Sequence, residues 1–551
     1  MHRVWLASCV VVAGCSGAID ASAVLRVEPA SIDLSVDLAS PPPTAAMQVV
    51  LVHADGSEDD VTSTASFELD GAPIGQLAGA SVVSDGFAGG SATIRVAYAE
   101  LATSIPVTAH VSGQRIVDGT PAGAAAAFAT ASATPFDAHL DPQDGSVLPP
   151  GLGRIVLSFA ANDLDDTHQV TVTAPYLDLT IVAPGVAGPR ELELSVSEVA
   201  AITRTARGGA VELEVASLQS SAPATSRVTT VGLEVADLDA GSLLVGGIES
   251  TGTVTDADDP TLFRYDMQAG GATAMFASPA TMCIGCHLAV SADGTRISAL
   301  TNMTTSPFLS GIILDARSGA VLAQSNSTSS WATAAYDPSG AMLGAWQGAL
   351  SLRDGTTGAM IGPIATTDAA AAPTISPDGT AVAYVSLDAG GSSEPVGNAL
   401  HVRSWNAAQM TVGPMVELVR DGNGVVLPEF SSDGRWVAFG HSAADSDGDV
   451  PSSSSAVRVD GSAMVLLTTD PLDQLAHWAS PIAPARVGNR EAEPMVWIAI
   501  NSTRPVGGNA TSPRQLWLEA FYPDRGVVAP AFHLPGQDAA FQVLHGPIAL
   551  P

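Results

Sequence analysis

From Leu25 to Val111 apolar and polar residues alternate in short runs, among them Ile32-Asp33-Leu34-Ser35-Val36, Met47-Gln48-Val49-Val50-Leu51-Val52 and Ala92-Thr93-Ile94-Arg95-Val96-Ala97-Tyr98. A period of two turns one side of an extended strand to a core and the other to water. Asp55-Gly56 and Asp70-Gly71 break the runs, as the short strands of a β-sandwich require. A second β-rich stretch over 139–239 holds the strands Ile155–Phe159, Gln169–Val172 and Ala210–Val215, with a short helix at Glu198–Ile202. Between the two, residues 112–138 are rich in Ala, Thr, Gly and Pro without a strand period, and read as a linker.

Residues 240–551 repeat. Ser291-Ala292-Asp293-Gly294 leads into Arg296–Leu300, Asp337-Pro338-Ser339-Gly340 into Met342–Trp346, Ser376-Pro377-Asp378-Gly379 into Val382–Val385, and Ser431-Ser432-Asp433-Gly434 into Trp436–Phe439. The turn glycines are 46, 39 and 55 residues apart. Two strands about each turn, at a period near forty, predict propeller blades. Later strands follow in each unit, at Gly311–Asp315, Leu350–Leu352, His401–Arg403, Val457–Val459 and Leu516–Leu518. A degenerate fifth copy has Trp478-Ala479-Ser480-Pro481 before Val496–Ile500. Leu243–Val245 through Phe263–Asp266 starts the first blade, and Phe541–Leu544 closes the ring against it, which gives six blades.

The Ser-Pro-Asp-Gly-x-x-Val-Ala-Tyr form at 376–384 resembles the WD40-like Asp-Gly-turn repeats of TolB-type β-propellers over roughly residues 240–551. That resemblance implies protein interaction and a part in envelope assembly. The first segment, with Val27-Glu28-Pro29-Ala30-Ser31 at its start, Asp55-Gly56-Ser57 within it and Ile105–Ala109 at its end, resembles bacterial immunoglobulin-like surface domains. The segment 139–239 reads as a second sandwich, immunoglobulin- or fibronectin-like. The expected fold class is all-β: sandwich modules at 25–111 and 139–239, then a propeller at 240–551.

The composition agrees: 46% hydrophobic residues, 14% charged, with 53 Gly and 37 Pro, suit many short strands joined by turns. A net charge of −34 excludes nucleic acid, whose phosphates need clustered cations, and excludes docking by charge on anionic lipid. Met1-His2-Arg3 and the apolar run Val4–Ala13 form an export signal over residues 1–14. Val12-Ala13-Gly14-Cys15 resembles the lipobox of bacterial lipoproteins, which implies a diacylated Cys15 and a tether over 15–24. Ser16 after it implies the outer membrane or cell surface, with the periplasmic face as the alternative. The lipid is then the sole membrane contact.

Candidate chemistry is sparse. Cys283-Ile284-Gly285-Cys286-His287 has the spacing of c-type haem attachment, with two thioethers and a proximal imidazole. Met303, His441, His477, His533 and His545 are candidate second ligands. A Cys283–Cys286 disulfide and a zinc site short of a fourth ligand are the alternatives. In ordinary cytochromes the motif lies on a helix, whereas here it runs into a strand. Asp445, Asp447 and Asp449 alternate in a loop and suit Ca²⁺, without the spaced glutamate of an EF-hand; a solvated loop is the plainer reading. Asp163, Asp165 and Asp166, and Asp256, Asp258 and Asp259, are weaker versions. Asp293, Asp378 and Asp433 read as turn formers. No nucleophile elbow, phosphate loop or zinc-protease helix occurs. The expected function is a non-enzymatic envelope platform for a protein, peptide or glycan. Electron transfer or haem sensing through Cys283, Cys286 and His287 is the alternative. A propeller hydrolase, the third reading, needs carboxylates or a histidine dyad in the central channel.

Overall fold

A computed structural model describes residues 22–551 except 163, 186–189, 250–260, 278–281, 304–308, 326–329, 388–396, 442–452, 507–513, 538–540, 544–547 and 551. The chain forms two compact units, Met1–Ser112 and Gly113–Pro551.

In the first unit the alternating runs are strands. Ile32–Asp37 runs parallel to Leu101–Ile116, which is antiparallel to Gly90–Tyr98, itself paired with Ser66–Gly71. Val24–Glu28, Gln48–Val52 and Glu58–Asp60 form a separate sheet. Ile32, Leu34, Val36, Ile94, Val96, Val107, Ala109 and Val111 are buried, and the residues between them face outward. Each fully buried aliphatic side chain contributes roughly 1.5–3 kcal/mol, which is what fixes the register.

The second unit begins with a sheet in which Thr167–Ala174 lies between Leu177–Pro184 and Ala210–Leu218, and the latter pairs with Thr225–Val235. The expected helix is present as Val196–Thr205. Ser195 accepts from the Glu198 N–H, and the Glu198 carboxylate accepts from the Ser195 N–H. Glu198 also receives two hydrogen bonds of 2.8 Å from Arg115. The stretch expected to be a linker, 112–138, carries a helix at Ala124–Thr130 and a strand at Ser132–Pro135 that adds parallel to Thr225–Val235. All four residues of that strand are exposed, so backbone pairing holds it and no apolar period announces it.

Beyond residue 240 the described strands fall into six successive antiparallel groups. Group one is Ser242–Glu249, Thr261–Asp266 and Gly271–Ala277, completed by Phe541–Val543 and Ile548–Leu550 from the far end of the chain. Group two is Met282–Val290, Arg296–Met303, Leu309–Asp315 and Val321–Gln324. Group three is Thr333–Tyr336, Met342–Trp346, Ala349–Arg353 and Met360–Ile364. Group four is Ala369–Ile375, Ala381–Leu387, Gly397–Asn406 and Thr411–Val412. Group five is Val416–Phe430, Trp436–His441, Ser454–Arg458 and Met464–Leu466, and group six runs from Asp473–Trp478 to Val527–Val528. The start of Val416–Phe430 pairs outward with group four and its end with Trp436–His441, so one strand serves two groups.

The apolar core is divided in the way a propeller requires. One cluster joins Leu244 and Leu262 to Ile297 and Ile312, and the next joins Ile313 to Trp331 and Met342. Others join Leu343 and Leu352 to Val382 and Tyr384, Val385 and Leu400 to Val437 and Phe439, and Trp436 and Leu467 to Trp478 and Ile498. Each cluster spans two consecutive groups, so each sheet is buried by its neighbours. The fold is all-β, with sheet modules followed by a propeller.

Within the second unit the module and propeller are joined by specific contacts. Ala236 bridges Val487, Asp237 accepts from the Arg486 N–H at 2.7 Å, and Arg490 forks onto Glu234 at 2.9 Å twice. The indole N–H of Trp497 donates to the Leu238 carbonyl at 3.0 Å. Among the described residues no helix is long and apolar enough to cross a bilayer.

Candidate functional site: the central channel

The Asp-Gly turns set where each innermost strand ends. In three copies the serine hydroxyl donates to the aspartate and accepts from the following strand. Ser291 reaches Asp293 at 2.6 Å and Arg296 N at 2.9 Å, Ser376 reaches Asp378 and Ala381 N, and Ser431 reaches Asp433 and Trp436 N. Those hydrogen bonds hold the Asp293, Asp378 and Asp433 carboxyls below the usual range. The fourth copy exchanges the two residues: Asp337 accepts from Ser339 at 2.6 Å and from Ala341 N at 3.0 Å. Gly294, Gly340, Gly379 and Gly434 all have φ between 67° and 87°, where a side chain would be strained.

With the turns aligned, the residue three places before each turn's first residue forms a column: Leu288, Ala334, Pro373, Pro428 and, in the degenerate copy before Ser480, His477. All five line one cavity of about 220 Å³ in the middle of the ring, with Val290, Ile375, Leu427, Glu429 and Phe430. Two innermost strands bulge here, at Ala372-Pro373 and Leu427-Pro428, where Ala372 and Leu427 take φ of 45° and 48°. Proline cannot donate to the ladder and is accommodated at such bulges. Side chains lace the innermost strands together: Thr333 Oγ1 accepts from Ala372 N at 3.0 Å and Thr374 Oγ1 from Phe430 N at 3.3 Å. Glu429 Oε2 accepts from Trp478 N at 3.3 Å.

His477 gives the column its chemistry. Its Nδ1 lies 3.2 Å from Glu429 Oε2, and its Nε2, buried, has no partner among the described residues. The carboxylate accepts, so Nδ1 carries a proton directed at Glu429. The Trp478 indole donates to the Glu429 carbonyl at 3.0 Å, which fixes that strand against its neighbour.

The other expected site residues fall elsewhere. Cys283, Cys286 and His287 lie on the innermost strand Met282–Val290, whose register shifts on both sides of Cys286, and His287-Leu288 takes the place of the bulge dipeptides Ala372-Pro373 and Leu427-Pro428. The side chains of 282–287, like those of Met303 and His545, lie outside the described residues. Cys15, Asp445, Asp447, Asp449, Asp163, Asp256, Asp258 and Asp259 lie outside them altogether. His441 is bonded through both ring nitrogens, to Asp421 at 2.5 Å and Ser455 at 2.9 Å. His533 is buried, and burial lowers its pKa to about 4. Asp165 pairs with Arg227, and Asp166 with the Ser220 N–H and hydroxyl. Among the described residues no cluster of His, Cys, Asp or Glu has the geometry to hold a metal ion. A second histidine group, His401 with Asp368 at 2.9 Å and Tyr384 donating to the same carboxylate at 2.9 Å, lies within the fourth sheet and does not line the channel.

The strand order defines a β-propeller with Ser/Asp-stapled turns. Solved structures to which this chain is similar include a putative TolB of Agrobacterium tumefaciens, at 15% identity over 54% of this chain and 92% of that one, with a TM-score of 0.31. TolB of Acinetobacter baumannii is similar at 15% identity over 61% of this chain and 79% of that one, with a TM-score of 0.35. Hydrazine synthase of Kuenenia stuttgartiensis is similar at 12% identity over 50% and 92%, with a TM-score of 0.31. No known protein family matches the sequence, and no curated protein does.

Proposed function

We propose that this chain is an exported, non-enzymatic envelope protein whose six-bladed propeller binds a partner protein, peptide or glycan through its central channel. In this reading the two modules before the propeller are immunoglobulin-like, and lipid on Cys15 holds the protein at the outer membrane or cell surface. The observation that carries the reading is the channel itself. Four innermost strands bring small or apolar side chains to one level and a fifth adds the oriented His477 imidazole, a mixture of apolar wall and few polar groups that suits a binding pocket. His477 and Glu429 form the dyad that a hydrolase would need.

The test is cross-linking of the full-length protein in its own envelope, followed by mass spectrometry, with wild type beside Ala334→Trp. Filling the channel is expected to remove the partner. The same partner captured equally by both proteins would exclude the channel as the binding site.

A second reading has one observation in its favour: the strand bearing Cys283, Cys286 and His287 continues directly into Leu288, Ala289 and Val290, which line the channel. A haem attached there would hang from a channel strand and make the protein an electron carrier or haem sensor.

A further inference from the structure

Glu429 and His477 come from adjacent innermost strands, Val416–Phe430 and Asp473–Trp478, and meet at a cavity whose lining mixes apolar side chains with Thr333, Tyr336 and Thr374. His477 is 8% exposed, and the Glu429 side chain 26%. What the pair offers a ligand is the partly exposed Glu429 carboxylate, since His477 Nε2 is buried and its Nδ1 is turned to Glu429. Among the described residues no Arg lines the cavity to neutralise Glu429, and the chain as a whole contains no lysine. A net charge of −34 adds a field that repels anions and attracts cations. Around the pair, Leu288, Pro373, Pro428 and Phe430 provide a dry wall for a short apolar stem.

We infer that the channel recognises a primary ammonium group on an apolar stem, with N–H donors directed at the Glu429 carboxylate and the methylenes against Pro373, Pro428 and Phe430. This deepens the channel-binding reading and rests on it. Two sources present that chemistry, a free alkylamine and the lysine side chain of a partner peptide. The missing lysines exclude a second copy of this chain as the source by that route.

The test is calorimetric titration of the intact mature protein at about pH 8, where alkylammonium groups keep their proton and a free imidazole has lost its own. The probes are n-hexylamine, 1-hexanol, hexanoate and the capped peptide acetyl-Gly-Lys-Gly-amide. Saturable n-hexylamine binding is expected, with 1-hexanol at least ~10-fold weaker, the factor that one charge-assisted hydrogen bond supplies, and hexanoate weaker still. Glu429→Gln keeps an oxygen for the Trp478 N–H and removes the charge. It should remove most of the preference for amine over alcohol while the thermal midpoint stays near wild type. Ala334→Phe, which fills the channel and leaves the dyad in place, should abolish binding of both.

Peptide binding alongside n-hexylamine assigns the ammonium to a partner's lysine, and binding of the free amine alone assigns it to a small amine. Equal affinity for amine and alcohol, no binding of n-hexylamine, or binding unchanged in both variants would overturn the inference. Partner capture that Ala334→Trp abolishes, together with no amine selectivity, would sink this inference and leave the channel reading standing. The reverse pattern would sink the partner reading alone.

Discussion

The backbone N–H of His533 donates to Oδ2 of Asp141 at 3.3 Å, across 392 residues of chain. The contact puts a carboxyl of the second sheet module inside the last propeller group. The Asp141 Oδ1 is buried without a partner, and desolvation raises the carboxyl's pKa to about 7 despite the nearby Arg504. Burial drives His533 the other way, to about 4. Asp141 therefore contributes stability below its unfolded value near 4 that is lost as pH rises towards 7. His533, neutral when folded, contributes stability that is gained as pH rises from about 4 to 6.5. The two slopes oppose each other across one window. Asp141→Asn should unmask a rise in stability with pH, and His533→Gln a fall, each by a few kcal/mol between about pH 4 and 7. Denaturant midpoints over that range check both, and flat profiles for both variants would refute the account.

Arg353 is 1% exposed and packs its guanidinium carbon 5.1 Å from the Trp331 ring centroid. It donates to Ser351 Oγ at 3.0 Å, to the Gly358 carbonyl at 3.0 Å and to the Ser330 carbonyl at 2.8 Å. Arg353→Met keeps the stem and strands two buried carbonyls, so a loss of about 3 kcal/mol is expected by urea denaturation. Arg353→Lys should recover less than half of it, because a lysine cannot fork or stack in the same way.

Trp331 fills space that Gly311 and Gly358 leave open. A Cβ on Gly311 would lie 2.1 Å from Trp331 Cε2, and one on Gly358 would lie 2.5 Å from Cη2. Gly311→Ala should therefore destabilise by about 2–4 kcal/mol and shift the near-ultraviolet tryptophan signal, since a well-packed ring has nowhere to retreat. Unchanged stability and spectrum would show that the indole has room to move.

The turn whose residues are exchanged allows a swap experiment. Asp337→Ser and Ser339→Asp should each cost about 1 kcal/mol alone. Together they rebuild the Ser-x-Asp arrangement of the other copies and should recover most of the loss, a coupling that a double-mutant cycle measures directly.

The cysteine pair is decided by mass and colour. Mature protein from a host with cytochrome c maturation should gain one haem mass and a Soret band if Cys283 and Cys286 are attachment sites, and Cys283→Ala/Cys286→Ala should lose both. A mass two protons light without a Soret band would identify a disulfide.

Much of the architecture was legible because it is written locally. The period-two runs around Ile32, Ile94 and Val107 became strands with alternating burial. The Asp-Gly turns marked the innermost strands, and Phe541–Val543 closes the first sheet against Ser242–Glu249 as its apolar run suggested. Ser195 with Glu198 is a capping pair readable at sight. What escaped had no local signature. Ser132–Pro135 is exposed throughout, Asp141 meets His533 from nearly four hundred positions away, and Val416–Phe430 divides its length between two groups of strands. The channel pair was partly visible. His477 stood out only as one histidine among several, and Glu429 not at all, until the turns were aligned and the column Leu288, Ala334, Pro373, Pro428, His477 could be read across the repeat.

The join between Ser242–Glu249 and the segments Phe541–Val543 and Ile548–Leu550 also orders events in time. A chain emerging amino end first presents Ser242–Glu249 with an unpaired edge while some three hundred further residues are still to come. Successive sheets can stack meanwhile, since each needs only its neighbour, but the circle cannot lock until the last strands arrive. The edge that invites mispairing is therefore covered late, by strands some three hundred residues further along the chain.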